Sequence, residues 1–149
     1  MPRTALIIED NPVIREILRL EFELRGWTVA EAGDAYRGLT LFRELVPQLV
    51  TLDLIMPIND GIDSVQMARL IIEEYPETAV FVLSALGAEP GINKFFKEHG
   101  VEVFNKVSSG NRGLTKLFKR VDAHFKRLTE HKTGKNSRHA SEDHTKWTS

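Results

Sequence analysis

The chain contains no cysteine. That excludes disulfides and any thiolate chemistry, and nothing in the composition points to an oxidising compartment. It also lacks an excess of charge of either sign. With 20 Lys and Arg against 21 Asp and Glu, the net charge is -1, so no global field draws the chain toward nucleic acid or an anionic membrane. Long apolar runs are missing too. Arg3 is the only charge in residues 1–8, and the apolar stretch there stops at Glu9, too short for a signal peptide or a membrane span. No repeat of solenoid type is present. These absences leave a cytoplasmic protein with neither membrane nor nucleic acid as partner. What is present agrees: 149 residues, 42% apolar and 28% charged, read as one globular domain with room for a real core.

The stretch that organises the chain is Leu49 to Gly61. An apolar run there delivers Asp53 at the end of a buried strand, and Pro57 with Asp60-Gly61 marks a turn. A carboxylate so placed stands at the carboxyl edge of a sheet, where open α/β sheets keep their sites. Upstream, Thr4 to Ile8 reads as a first strand ending in Glu9-Asp10, and Asn11-Pro12 starts a helix. Its apolar stripe is expected to be Val13, Ile17, Leu20 and Leu24, with Ile14 and Leu18 beside it, and Gly26 ends it. Trp27 to Ala32 makes a second strand. Asp34 caps a second helix with Ala35, Leu39, Phe42 and Val46 inward, closed by Pro47.

Helix three begins near Asp63 and carries Val65, Ala68, Ile71 and Ile72. Strand four, Ala79 to Leu83, stops at Ser84-Ala85. A loop from Gly87 to Gly91 leads to a short fourth helix with Ile92, Phe95 and Phe96. Strand five, Val101 to Phe104, delivers Lys106, and a fifth helix spans about residues 111–129. Five strands alternating with five helices imply βαβ units and a parallel sheet covered on both faces. The division expected is a folded domain over residues 1–129 and a polar tail over 130–149, whose composition is that of a disordered segment. Its His131, His139 and His144 match no metal-site spacing.

The polar residues at strand ends then form a set. Glu9 and Asp10 follow strand one, Asp53 strand three, Ser84 strand four and Lys106 strand five. In a parallel sheet all these ends share one edge, so three carboxylates, a hydroxyl and an amine converge. With Met56-Pro57 and Asp60-Gly61 added, the sequence resembles the receiver domain of two-component response regulators over roughly residues 4–129.

The resemblance implies a flavodoxin-like doubly wound fold with strand order 2-1-3-4-5. It implies a Mg²⁺-dependent phosphoacceptor with slow self-dephosphorylation rather than a classical enzyme. Asp53 would accept the phosphoryl group as an aspartyl phosphate. Glu9, Asp10, Asp53 and the backbone carbonyl of Ile55 would hold Mg²⁺, directly or through water. Lys106 would pair with a phosphoryl oxygen, and Ser84 would hydrogen-bond another. The implied partners are a histidine kinase or histidine phosphotransfer protein as donor, and a downstream protein on the face of helix four, strand five and helix five. A homodimer is a further option.

Two positions depart from the family pattern. Val107 follows the lysine where the family usually has proline. Val103 stands where an aromatic residue often lies three positions before the lysine, and Phe104 should point to the other face. A β-branched valine cannot swing as a ring does, so the expected coupling runs through the loop Leu86 to Gly91. Lys116, Lys119, Arg120, Lys126 and Arg127 read as the solvent side of helix five, not a nucleic-acid surface. The polar stretch from Glu130 to Ser149 is too short for a DNA-binding domain, so a stand-alone receiver is expected, with a pseudo-receiver or a fragment of a larger regulator as alternatives. A phosphatase with an Asp-x-Asp motif is disfavoured because residue 55 is Ile.

Overall fold

A computed structural model describes residues 3–56, 61–84, 90–106 and 113–126. The strands are β1 (Thr4–Ile8), β2 (Thr28–Ala32), β3 (Leu49–Asp53), β4 (Ala79–Ser84) and β5 (Val103–Asn105). The helices are α1 (Pro12–Leu24), α2 (Ala35–Leu45), α3 (Ser64–Glu74), α4 (Pro90–Glu98) and α5, residues 113–126. All strand pairs are parallel, in the order β2-β1-β3-β4-β5. The flavodoxin-like doubly wound topology is therefore as the sequence implied.

Strand alternation splits the core into two layers. Leu6, Ile8, Val50, Leu52, Val80 and Val82 face a cluster completed by α2, α3 and α4. Ala5, Ile7, Leu49, Phe81, Leu83 and Phe104 face the other, completed by α1 and α5. Every strand but β2 is apolar on both faces, because both faces are covered. Gly38 brings α2 close to the end of β1. A Cβ there would lie 2.8 Å from the Ile8 Cδ1, inside van der Waals contact.

The helix starts follow the expected chemistry. Asn11 Oδ1 accepts the Val13 and Ile14 N–H groups, and Asp34 and Asp63 cap α2 and α3 in the same way. The face of α1 differs from the expected one. Val13, Leu20 and Leu24 are exposed, Leu24 at 81%, whereas Leu18 and Phe22 are fully buried. Two stripes compete on this helix, and the ring of Phe22 decides between them. It packs edge-on against Trp27 and Phe118, at centroid distances of 5.8 and 4.9 Å. Leu24→Ser is accordingly expected to change unfolding free energy by no more than about 0.5 kcal/mol in a urea titration. A loss of several kcal/mol would restore the first stripe.

Val46 also departs from expectation. It is half exposed and left-handed, with φ 40°, because the chain must turn from α2 into Pro47. Val103 packs on the α2–α4 side and Phe104 in the α1–α5 cluster, so the two point to opposite faces as alternation required. Leu128, Pro57, Asp60, Ala85, the loop Leu86 to Glu89, Val107 and the tail histidines lie outside the described residues.

Candidate functional site

Register brings the carboxylates together. Ile8 pairs with Leu52 across β1 and β3, so the next residues, Glu9 and Asp53, emerge side by side at the carboxyl edge. This is the point where β1 separates connections running to opposite sides of the sheet, the switch point at which such folds bind ligands. Asp53 pairs with Leu83, and Ser84 with Asn105. Lys106 leaves the edge one residue later, and its backbone N–H donates to the Ser84 carbonyl at 3.1 Å.

The side chains converge further. Lys106 Nζ donates to Glu9 Oε2 at 2.8 Å and to Asp53 Oδ2 at 2.7 Å. Glu9 and Asp53 are fully buried and Ser84 nearly so, whereas Asp10 is exposed. Glu9, Asp10 and Asp53 each offer an oxygen, and these oxygens lie within 4.8 Å of one another. The Asn11 N–H donates to Glu9 Oε2, and the Ile55 N–H donates to Asp53 Oδ1 at 2.9 Å. Ile55 thus touches Asp53 through its amide, with its side chain half exposed. Of the residues singled out in the sequence, Glu9, Asp10, Asp53 and Lys106 form one cluster. Ser84 stands at its rim on the adjacent strand.

Burial dominates the electrostatics. It pushes the Glu9 carboxyl from 4.5 up to about 7, against the opposing effects of Lys106 and the Asn11 amide, while the Asp53 charge raises it further. Asp53 is also raised, chiefly by burial, with Lys106 and the Ile55 amide pulling down and a hydrogen bond with Asp10 pushing up. Burial acts to lower Lys106, but its hydrogen bonds to Asp53 and Glu9 and their charges win, so its pKa is raised and it stays cationic.

One observation bears on a metal. Glu9 Oε1 is buried and has no hydrogen-bond partner, a state that buried polar atoms rarely keep. An all-oxygen set of three carboxylates with an orphaned acceptor fits a hard divalent cation of the Mg²⁺ type. Asp10 is the residue of the three open to solvent. Asp10→Asn is expected to raise the Mg²⁺ dissociation constant several-fold, followed by amide shifts at residues 9–11 and 53–55. Unchanged affinity would remove Asp10 from the ligand set.

A five-stranded parallel α/β sheet with buried carboxylates and a lysine at the switch-point edge defines an acidic-pocket protein of flavodoxin-like topology. The chain matches the model of the response regulator receiver domain over residues 5–118, and it belongs to that family. Among curated proteins it is 38% identical over 87 residues to the DNA-binding dual master transcriptional regulator RpaA of Synechocystis, covering 58% of this chain and 35% of that protein. It is 32% identical over 123 residues to the transcriptional activator protein PfeR of Pseudomonas aeruginosa, covering 83% and 38%. The chain thus spans little more than a third of either relative. A CheY-like receiver domain protein from Methanospirillum hungatei superimposes with a TM-score of 0.67 at 18% identity, covering 85% of this chain and 99% of that one. That likeness is one of fold.

The sequence reading missed one contributor. Arg15, on α1, donates from Nη1 to the Glu9 carbonyl at 2.8 Å. The signal available was an arginine five residues after Asp10, at the end of the first turn of a helix that starts at the acidic loop. Among the described residues no helix is long and apolar enough to cross a membrane.

Proposed function

We propose that this receiver accepts a phosphoryl group on Asp53 from a phosphohistidine donor, a histidine kinase or a histidine phosphotransfer protein, and signals through phosphorylation-dependent protein contact. The observation that carries the reading is the Asp53 carboxylate, buried beside Glu9 and bridged to it by Lys106 Nζ. A buried carboxylate at a sheet edge costs stability unless it is paired and hydrogen-bonded. Here a cation and a backbone amide hold it with its two oxygens oriented, and Asp10 adds negative charge beside it.

Glu9, Asp10, Asp53 and the Ile55 carbonyl would hold Mg²⁺, which when bound supplies positive charge to offset that of the carboxylates and of an incoming phosphoryl group. An Asp53 oxygen forms the new bond to phosphorus as the bond to the donor's imidazole nitrogen breaks, and that nitrogen keeps the electron pair. Lys106 holds its ammonium where a phosphoryl oxygen arrives, and the Ser84 hydroxyl stands on the neighbouring strand to hydrogen-bond another. The chain in this reading is a phosphoacceptor with slow self-hydrolysis, cytoplasmic, with residues 1–129 as the receiver and 130–149 as a polar tail. Its output surface is the face of α4, β5 and α5, with a second copy of the chain as another occupant. Exposed Lys116, Lys119 and Lys126 on α5 sit in a chain of net charge -1, which gives nucleic acid no purchase.

The test is incubation with Mg²⁺ and acetyl phosphate, read by intact mass. One base-labile phosphoryl group per chain is expected, and none in EDTA. No labelling with acetyl phosphate or with a phosphohistidine donor would leave a receiver fold that works only as a scaffold.

A further inference from the structure

We infer that Arg15 is a positioning residue for the acidic site, acting through the backbone of Glu9; the inference rests on the reading of that site as a Mg²⁺-dependent phosphoacceptor. The paired ladder of β1 ends at Ile8, which matches Ala32 on one side and Leu52 on the other. Glu9 lies one residue beyond it. Its N–H still finds the Ala32 carbonyl at 3.0 Å, but its own carbonyl has passed the last strand pair. Arg15 Nη1 takes that carbonyl at 2.8 Å. This peptide joins Glu9 to Asp10, so a guanidinium from α1 fixes the bond about which both carboxylates are aimed.

The guanidinium is itself held. Arg15 Nε lies 3.4 Å from Glu31 Oε1, on β2. Glu31 Oε2 meets Arg19 Nε at 3.5 Å. Gly33 lies beside the head group: a Cβ there would sit 3.4 Å from Nη1, at the edge of van der Waals contact. A planar guanidinium can serve a carbonyl and a carboxylate at once, which an ammonium at the end of a flexible stem does poorly. Glu9 is therefore clamped at four points: its N–H by β2, its carbonyl by α1, and its carboxylate by Lys106 and the Asn11 amide. Partners that orient the ligands of a metal typically contribute 10- to 100-fold in affinity.

The experiment is a Mg²⁺ titration of the full chain, followed by calorimetry and by amide shifts, with thermal unfolding of each variant in EDTA as control. Arg15→Ala is expected to raise the Mg²⁺ dissociation constant about tenfold. Arg15→Lys should recover part of that loss, since an ammonium still reaches the carbonyl. Glu31→Gln, which leaves the arginine but removes its anchor, should raise it by a smaller factor. Arg25→Ala, at the far end of α1, loses ion pairs to Glu21 and Asp122 without touching Glu31 or the Glu9 carbonyl, and should bind Mg²⁺ as the wild type does. Wild-type affinity in Arg15→Ala and Glu31→Gln would overturn the inference. So would an equal loss in Arg25→Ala, which would show a general effect of loosening α1. Should Arg15→Ala fail to fold, Glu31→Gln against Arg25→Ala decides. No Mg²⁺ binding by the wild type would instead overturn the phosphoacceptor reading itself.

Discussion

Asp53→Asn is expected to abolish acyl phosphate formation completely, while the wild type takes up one phosphoryl group. The reason is chemical. A carboxamide is neutral and a poor nucleophile, and a nucleophile activated by its surroundings is what the site offers. No neighbour can stand in. Glu9 has one oxygen committed to Lys106 and the Asn11 amide, and its residue is fully buried. Asp10 is exposed and has no ammonium hydrogen-bonded to it among the described residues. The fold should survive the change, because Asp53 is a buried carboxyl already raised in pKa, and the Lys106–Glu9 contact remains. Intact mass with and without hydroxylamine reads the outcome, and peptide mapping reads the position. Labelling of the variant at Glu9 or Asp10, or equal labelling of both proteins, would remove Asp53 from the acceptor role.

In the metal-free protein, unfolding free energy is expected to fall by about 3 kcal/mol between pH 4.5 and pH 7.5 on account of Glu9 alone, at about 1.4 kcal/mol per pKa unit. The Glu9 carboxyl rises from 4.5 in the unfolded chain to about 7 in the fold. Between those values the native state binds a proton that the unfolded state has lost. Stability therefore falls as pH rises through this window, opposite to an aspartate held in a salt bridge. Asp53, raised in the same sense, adds to the slope. Lys106, raised in the fold, contributes stability that is lost only at much more alkaline pH.

Glu9→Gln should flatten the curve, and at pH 8 it should be more stable than the wild type, because it removes a buried charge without breaking the Lys106–Asp53 contact. Mg²⁺ should restore much of the wild type's lost stability at pH 8 and little of the variant's, as a ligand that binds only the folded state does. Urea titrations in EDTA at pH 5, 6, 7 and 8 measure this. A wild type that is flat or gains stability over that range would show that Lys106 alone holds Glu9 ionised. Such a slope is the mark of a site that keeps charges together for a function at the expense of the fold.

The amino-acid sequence by itself determined the class of fold and which polar residues its strands carry to the carboxyl edge. Apolar runs of strand length, alternating with capped amphipathic stretches, leave a parallel α/β sheet as the arrangement that buries them. Each strand that ends on Glu9, Asp53, Ser84 or Lys106 must then deliver that residue to one edge. Strand order came only from the family pattern, because local periodicity says nothing about which strands are neighbours. Three things were decided by tertiary structure alone. Register set Glu9 beside Asp53, since a parallel pair shifted by two residues would satisfy the same apolar pattern. The inward face of α1 was settled by the space available to Phe22 between Trp27 and Phe118, when the helix offered a stripe through Val13, Leu20 and Leu24 of nearly equal hydrophobicity. Arg15 reached the Glu9 carbonyl because the ladder of β1 ended one residue short of it. An unpaired backbone group is invisible in a sequence and appears only when the strands beside it are in place.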